Sequence, residues 1–350
     1  MRIYLIGAGV IAKEHANAIN KLKGFEPIEV KATDINAQTL ADFIELFPDI
    51  TGYPTAAEML SEPAMEDDIV IVCVPPFAHY DMSVLALQSG RHVVCEKPLT
   101  LNREQMESMF NLAESKNRYI SCCSSRFVGL TKNEEIKRML ADGELGNVYK
   151  MNWISREQRG RPGIEFQQES RWFLDKSKSG GGVLMDWGPY DFALINHTLE
   201  PVKVEVLSAV VVMPETEIDP KDVVYNTESH VAAVLKYHLQ DGKTLILNYE
   251  RSSCMHGKAY KHMEIEGTKG AVEWIPYWEG DMVWKKTDQA GAPVVEEIEI
   301  KNEGNLGFHD LPLHYLYQHL RKQKTFLFSN EQAEFNFKCI LDIYDAAANK

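Results

Sequence analysis

The stretch Arg2-Ile3-Tyr4-Leu5-Ile6-Gly7-Ala8-Gly9-Val10-Ile11-Ala12 decides the fold. Its apolar half reads as a buried strand, and Gly7-Ala8-Gly9-Val10-Ile11-Ala12 opens a helix directly after it. In a strand–turn–helix of this kind the first glycine permits the tight turn. The second lets backbone approach a pyrophosphate, and the small third position, here Ala12, allows close helix–strand packing. The helix N-terminus then presents free N–H groups and a positive dipole end to the anion. The acid that completes this pattern is Asp34, ending the run Ile28–Thr33. A carboxylate there accepts adenosine ribose hydroxyls and repels a 2′-phosphate, and Ile35-Asn36 brings no cation to hold one. The expected cofactor is therefore NAD, with NADP less favoured. An N-cap role for Asp34 on a helix starting at Ala37 is compatible with this.

Working outward, strands and helices alternate through the first third. Strand-like runs are Ile3–Ile6, Ile28–Thr33, Ile69–Val74, His92–Cys95 and Tyr119–Cys123. Helix-like segments Ile11–Leu22, Ala37–Phe47, His79–Ser89 and Arg103–Ser115 separate them. This order predicts right-handed crossovers and a doubly wound parallel α/β sheet, a Rossmann domain over residues 1–125. After residue 125 the texture changes. A helix over Lys132–Ala141, a strand from Val148 and a helical segment to about Leu199 precede strands joined by tight turns from Val202 to Ile300. Gln240-Asp241-Gly242-Lys243 and Gly267-Thr268-Lys269-Gly270 are hairpin signals, so this second sheet is expected to be mostly antiparallel. Helices near His309–Arg321 and Gln332–Ala348 close the chain. Residues 126–350 are expected to form a second, α+β domain that binds substrate and mediates oligomerisation.

The 350-residue chain is long enough for two such domains, and 45% hydrophobic against 25% charged residues excludes disorder. Lys+Arg number 37 against 51 Asp+Glu, a net charge of −14, which opposes nucleic acid and anionic lipid as partners. Six cysteines show no Cys-x-x-Cys pair, and a reducing compartment fits them better than a disulfide framework. Met1 leads straight into the first strand rather than a signal peptide, and no apolar run reaches the ~20 residues of a membrane span. A cytoplasmic protein is expected. His309, His314 and His319 lack matching acidic ligands, so no metal is expected.

Three further stretches carry chemistry. Val74-Pro75-Pro76 with His79 lies beyond a strand's carboxyl end, where ligands sit in such sheets. Glu96-Lys97-Pro98 follows the next strand and places a lysine where it serves as a proton donor or electrostatic anchor. Ser179-Gly180-Gly181-Gly182 approaches a helix bearing Asp186 and Tyr190 one turn apart. There Asp186 is expected as N-cap, which would place Pro189 harmlessly in the first turn.

These motifs, with Arg126-Phe127, Ile136–Gly146, Gly180-Gly181-Gly182, Asp186-Trp187-Gly188-Pro189-Tyr190 and Gly267–Gly270, resemble the glucose-fructose oxidoreductase/inositol dehydrogenase/rhizopine catabolism (Gfo/Idh/MocA) family. The resemblance runs over nearly the whole chain. It implies a Rossmann domain followed by an open, mostly antiparallel sheet that makes a homodimer or homotetramer. It implies cofactor contacts from Gly7, Gly9, Val10, Ile11, Ala12, Asp34, Val74, Pro75, Pro76, His79, Glu96, Lys97 and Ser124. It also implies a cis bond before Pro98, and Asp186 and Tyr190 facing Lys97. Tyr190 stands where many relatives carry His, which resembles the glucose-fructose oxidoreductase, xylose dehydrogenase and dihydrodiol dehydrogenase branches. Ser124 replaces a frequent Asn, and Phe173 a common Arg. Arg126, Trp153 and Trp172 are candidates to line a substrate pocket, aromatic faces being suited to sugar C–H surfaces.

The expected activity is hydride transfer between a nicotinamide and the secondary alcohol or ketone of a sugar, sugar acid or cyclitol, with Lys97, Tyr190 and Asp186 as catalytic residues. Two alternatives stay open. One is a closed-cycle enzyme that keeps NAD bound through glycoside cleavage, elimination or epimerisation. The other is a non-catalytic dinucleotide sensor.

Overall fold

The computed structural model describes residues 1–158, 168–213, 224–301 and 305–348. The described chain divides into two compact units. The first begins with β1 (Arg2–Ile6), α1 (Val10–Leu22), β2 (Glu29–Thr33), α2 (Ala37–Leu46), β3 (Ile50–Tyr53), α3 (Ala56–Met59), β4 (Ile69–Val72), α4 (His79–Gln88), β5 (His92–Cys95), α5 (Arg103–Ser115) and β6 (Ile120–Cys122). The strands form one parallel sheet in the order β3-β2-β1-β4-β5-β6. In β4 every residue of Ile69-Val70-Ile71-Val72 is fully buried, as a strand covered on both faces requires. In α1, Ala12, His15, Ala16, Ile19 and Leu22 are buried at helical spacing.

The edge strand β3 escapes the sequence reading. Ile50-Thr51-Gly52-Tyr53 is short, contains a glycine and buries only Ile50, so it lacks the continuous apolar run of its neighbours. Asn36, not Asp34, caps α2, its side chain accepting from the N–H groups of Gln38 and Thr39.

The second unit contains α6 (Thr131–Ala141), β7 (Val148–Gln158), a 3-10 stretch (Gln168–Leu174) and α8 (Val183–Leu199); of the short α7 (Lys176–Ser179) between the last two, Ser177–Ser179 cluster with the first unit. Strands β8 (Lys203–Val212), β9 (His230–His238), β10 (Thr244–Met255), β11 (Tyr260–Gly267), β12 (Ala271–Trp274), β13 (Met282–Gln289) and β14 (Ala292–Glu299) follow. Their sheet has the order β14-β13-β12-β11-β7-β10-β9-β8. The central β7–β10 pair is parallel and the other neighbours are antiparallel. Both expected hairpins form, β9–β10 and β11–β12. Alternation along the strands puts Trp153, Leu235, Leu247, Tyr249 and Ile265 on a buried face, and α8 packs on β9 and β10.

The chain then returns to the first unit. Residues Leu306–Phe337, with α9 (Leu311–Leu320) and the start of α10 (Asn330–Ala348), cluster with Met1–Arg126, whereas the sequence reading kept everything after residue 125 together. Leu313, Leu316 and Tyr317 join the apolar core built by β1, α1 and β4. Polar contacts fix the return: Arg321 bridges Glu26 and Asp67 at 2.5 and 3.0 Å, and Asn330 Oδ1 accepts the N–H of Ile120 at 3.0 Å. Among the described residues no helix is long and apolar enough to cross a membrane.

Candidate functional site

In the first unit the sheet register aligns the carboxyl ends of four strands. Ile6 pairs with both Thr33 and Val72, and Val72 with Cys95, so the loops starting at Gly7, Asp34, Cys73 and Glu96 leave one edge. Gly7 has φ +103°, and a Cβ there would stand 2.6 Å from the carbonyl oxygen of Cys73. Gly9 caps α1, and a Cβ on it would meet nothing within 4 Å. That open space above a helix N-terminus is what a pyrophosphate needs, so these residues fit a dinucleotide. Asp34 Oδ2 accepts the N–H of Ala8 at 2.8 Å, tying the acid to the glycine turn. Val10 and Ile35, both large and apolar, stand exposed beside it.

The loop after β4 begins with Val74-Pro75-Pro76, and Cys73 Sγ lies 3.3 Å from the carbonyls of Ile6 and Gly7. His79 is wholly buried, with Nδ1 2.6 Å from the Pro98 carbonyl and Nε2 2.8 Å from that of Val74. It braces the β4 loop against the lysine loop, which leaves neither ring nitrogen for a cofactor. Burial holds its pKa below the usual histidine value, although both carbonyls favour the charged ring. Lys97 follows β5, half-buried, and its bond to Pro98 is cis.

Glu96 points inward. Its Oε1 receives His15 Nε2 at 2.8 Å and the guanidinium of Arg126, and its Oε2 the N–H of Lys97 at 3.2 Å. Burial alone would raise this carboxyl, but Arg126 and the His15 hydrogen bond outweigh it and hold the group well below the usual carboxylate range. Arg126, expected to line a substrate pocket, is buried on Glu96 instead. Ser124 is buried in the same turn after β6, beside Cys122.

In the second unit α8 starts at Val183, so Asp186 lies in the first turn and Pro189 inside the helix; Asp186 is not its cap. The cap comes from Glu228, 46 residues away in the loop before β9. Its carboxylate accepts the N–H groups of Gly182 (2.8 Å) and Leu184 (3.1 Å), its carbonyl accepts that of Val183 (3.0 Å), and Tyr344 donates its hydroxyl proton at 2.7 Å. A charged acceptor at a helix N-terminus is favoured by the dipole as well. Gly181 is needed here, since a Cβ would stand 2.1 Å from the Tyr344 hydroxyl. Asp186 and Tyr190 are both buried, one turn apart on one side of α8.

Tyr190 sits between Phe127 and Trp187, with ring centroids 5.2 and 5.8 Å away. Trp187 lies over the Arg251 guanidinium at 4.8 Å. Arg251 in turn is fixed by Asp191 (2.5 and 3.0 Å) and Ser155 (3.0 Å), and Tyr249 and Tyr277 also donate to Asp191. A pocket of about 230 Å³ opens beside this network, walled by Trp187, Tyr277 and Trp278 with Arg251 and Lys261. Trp153, expected at a substrate pocket, is instead core: it is fully buried on β7 against Trp274 and Tyr277. Trp172 is half-buried and stacked on Phe173, centroids 3.9 Å apart.

Two groups of described residues bring ligand-type atoms within 4.8 Å of one another, His15–Glu96–Cys123 and His262–Glu264–Glu273. In each a cation of the chain already holds the carboxylates, Arg126 in the first and Lys286 in the second.

Comparison with known proteins agrees with this architecture. Residues 1–123 match the GFO_IDH_MocA oxidoreductase family with NAD-binding Rossmann fold, and residues 133–273 match the GFO/IDH/MocA C-terminal domain. Over 190 residues the chain is 29% identical to D-glucoside 3-dehydrogenase of Escherichia coli (strain K12), covering 54% of this chain and about half (51%) of that relative. Over 292 residues it is 23% identical to inositol 2-dehydrogenase of Rhizobium meliloti (strain 1021), covering 78% of this chain and 74% of that one. Levoglucosan dehydrogenase solved with NADH and levoglucosan superposes with a TM-score of 0.80 at 18% identity, covering 100% of this chain and 97% of that one. At that identity the likeness shows the fold.

Proposed function

Because this chain belongs to the Gfo/Idh/MocA family of NAD-binding oxidoreductases, we propose that it transfers a hydride between a nicotinamide cofactor and the secondary alcohol or ketone of a sugar, sugar acid or cyclitol. The observation that carries the reading is the shared edge of the parallel sheet, where the Gly7–Ala12 turn, Asp34 and Lys97 leave the ends of register-aligned strands. The relatives named for a glucoside and an inositol support the substrate class.

The nicotinamide, when bound, supplies the hydride chemistry. Everything else falls to the chain. Backbone N–H groups at the start of α1 bind the pyrophosphate, with Gly7 and Gly9 leaving room for it. Asp34 takes the ribose hydroxyls and opposes a 2′-phosphate, so NAD is the preferred cofactor. We assign the carbinol proton to Tyr190 acting as a phenolate, its own proton having passed to solvent before hydride transfer, and the anchoring of the reacting oxygen to the Lys97 ammonium, whose charge favours the phenolate. Asp186, buried one turn from Tyr190, orients the hydroxyl. The aromatic walls Trp187, Tyr277 and Trp278 suit the C–H face of one saccharide or cyclitol ring. Self-association through the eight-stranded sheet belongs to the same reading.

The test is absorbance at the NADH band when purified protein meets NAD⁺ or NADP⁺ and a panel of aldoses, polyols, inositols, glycosides and sugar acids. A rise with one substrate class and NAD⁺ is expected. No rise with any of them, from protein shown to bind NADH, overturns the dehydrogenase reading.

A further inference from the structure

We propose that Lys132 and Asn133 are positioning residues that hold loop 275–281 in the shape that walls the ring pocket. The inference rests on the reading of that pocket as the substrate's, and all its residues belong to the second unit. The loop joins β12 to β13, which pair as far as Trp274 with Val283. Its seven residues exceed the roughly two to five of an ordinary hairpin connection. A connection of that length must be ordered against its own conformational entropy by contacts from outside. Tyr277, Trp278 and Glu279 of this loop line the pocket.

The outside contacts come from the first turn of α6. Lys132 is fully buried, and its ammonium donates to the carbonyls of Glu279 at 3.1 Å and Gly280 at 2.7 Å. A cation in a first turn opposes the helix dipole, and burying one is costly, so this lysine does nothing for its own helix. Burial pushes it down to about 8, against the charges of Asp281 and Glu279, and at pH 7 it is mainly an ammonium. Asn133, 1% exposed, donates through Nδ2 to the carbonyls of Pro276 at 2.9 Å and Phe127 at 2.8 Å, while its Oδ1 accepts the Trp274 indole N–H at 3.1 Å. An indole N–H only donates, so this set fixes which way the amide faces. Two adjacent residues of one helix turn thus hold both ends of the loop: Trp274 and Pro276 where it leaves β12, Glu279 and Gly280 where it approaches β13. Between these points lie Tyr277 and Trp278, the aromatic walls that the loop contributes. Lys132 and Asn133 act through the loop and not on a ligand.

The experiment reads the loop itself and needs no substrate. The full chain is treated with chymotrypsin under native conditions, and cleavage after Trp278, which releases residues 279–350, is followed by mass spectrometry beside cleavage at other sites. Lys132→Met keeps the apolar stem and removes the donor to both carbonyls. Cleavage after Trp278 is expected to rise about tenfold or more, because native-state proteolysis tracks the population of the locally opened form. Other sites are expected to stay within about twofold. If Lys132→Met does not fold, Asn133→Ser is read in the same way. A Trp278 site that keeps its wild-type rate, or that speeds up only in step with the others, overturns the proposal and leaves the pair a structural support of α6. With a substrate from the NAD⁺ panel, KM is expected to rise about tenfold while kcat and the NADH dissociation constant stay within about twofold. A loss confined to kcat overturns the proposal as well. A chain that reduces no NAD⁺ fails the dehydrogenase reading, and the cleavage rates still decide whether Lys132 and Asn133 hold the loop.

Discussion

Glu228 accepts the backbone N–H of Leu184 through its Oε1 at 3.1 Å, and so caps a helix to which it does not belong. The same carboxylate serves Gly182 and Tyr344, so one side chain satisfies three donors around the turn that leads to Asp186 and Tyr190. Glu228→Ala leaves two N–H groups without their acceptor. A loss of about 2–4 kcal/mol in urea unfolding is expected, well above that of a surface Glu→Ala. A loss under 0.5 kcal/mol would show that water replaces the cap.

Arg251 and Asp191 form a buried pair whose remaining hydrogen-bonding capacity is met by Ser155, Tyr249 and Tyr277. Removing one partner strands the other: Arg251→Met is expected to cost about 3–5 kcal/mol. Arg251→Met/Asp191→Asn should recover most of that, since no uncompensated charge stays behind. A double-mutant cycle by chemical denaturation checks this, and strict additivity would contradict it.

Tyr190→Phe keeps the ring between Phe127 and Trp187 and removes only the hydroxyl. With that group as the proton acceptor, kcat falls on the order of 10²–10⁴. The NADH dissociation constant, read from fluorescence, stays within about twofold. An unchanged kcat removes Tyr190 from the mechanism.

Asp34 faces the glycine turn through Ala8, and its neighbour Ile35 is exposed. Asp34→Ser/Ile35→Arg removes the charge that opposes a 2′-phosphate and adds one that attracts it. The ratio of kcat/KM for NADP⁺ to that for NAD⁺ is expected to rise about tenfold or more. No change would mean that the ribose is held elsewhere.

His92 is pushed down to about 4, chiefly by burial and then by Arg118, and His309 to about 4 by burial and then Arg126. Their folded values lie below the ordinary 6.5, so between pH 6.5 and 4 the unfolded chain takes up protons that the fold refuses. Stability is full above that window and declines through it as pH falls, by up to about 1.4 kcal/mol per unit for each histidine kept neutral. Glu96, depressed in the fold, contributes above the unfolded carboxyl value of about 4.3 and loses that contribution only on further acidification. Urea midpoints measured from pH 8 to 4 should therefore fall from about 6.5 downward. A flat profile above pH 5 would contradict the assignment.

What the sequence made legible is what local order encodes. The glycine turn, the acid after β2 and the apolar strands follow one another within 34 residues, and each constrains the next. The hairpins were legible for the same reason. The α8 cap is not legible, because Glu228 is distant in sequence and nothing near it announces a helix; Asp186 is the nearest acid, and local order alone favours it as the cap. Trp153 and Arg126 look like surface ligands as residue types, yet β7 alternation buries the one and a carboxylate claims the other. Signals for the buried ions did exist. Arg251 continues the inward series Leu245, Leu247, Tyr249, and His15 interrupts the inward series Ala12, Ala16, Ile19. A charged or polar residue on a buried stripe requires a partner, and only the fold says which.

The return of Leu306–Phe337 to the first unit bears on how the protein is made. Leu313, Leu316 and Tyr317 are part of the core that β1 and α1 begin. A ribosome adding about 5–20 residues per second has released the Rossmann sheet long before it delivers these side chains, with a wait of roughly 10–40 s. During that interval the nascent first unit lacks a wall that the finished one has. Its final consolidation waits until the second unit's strands have already emerged.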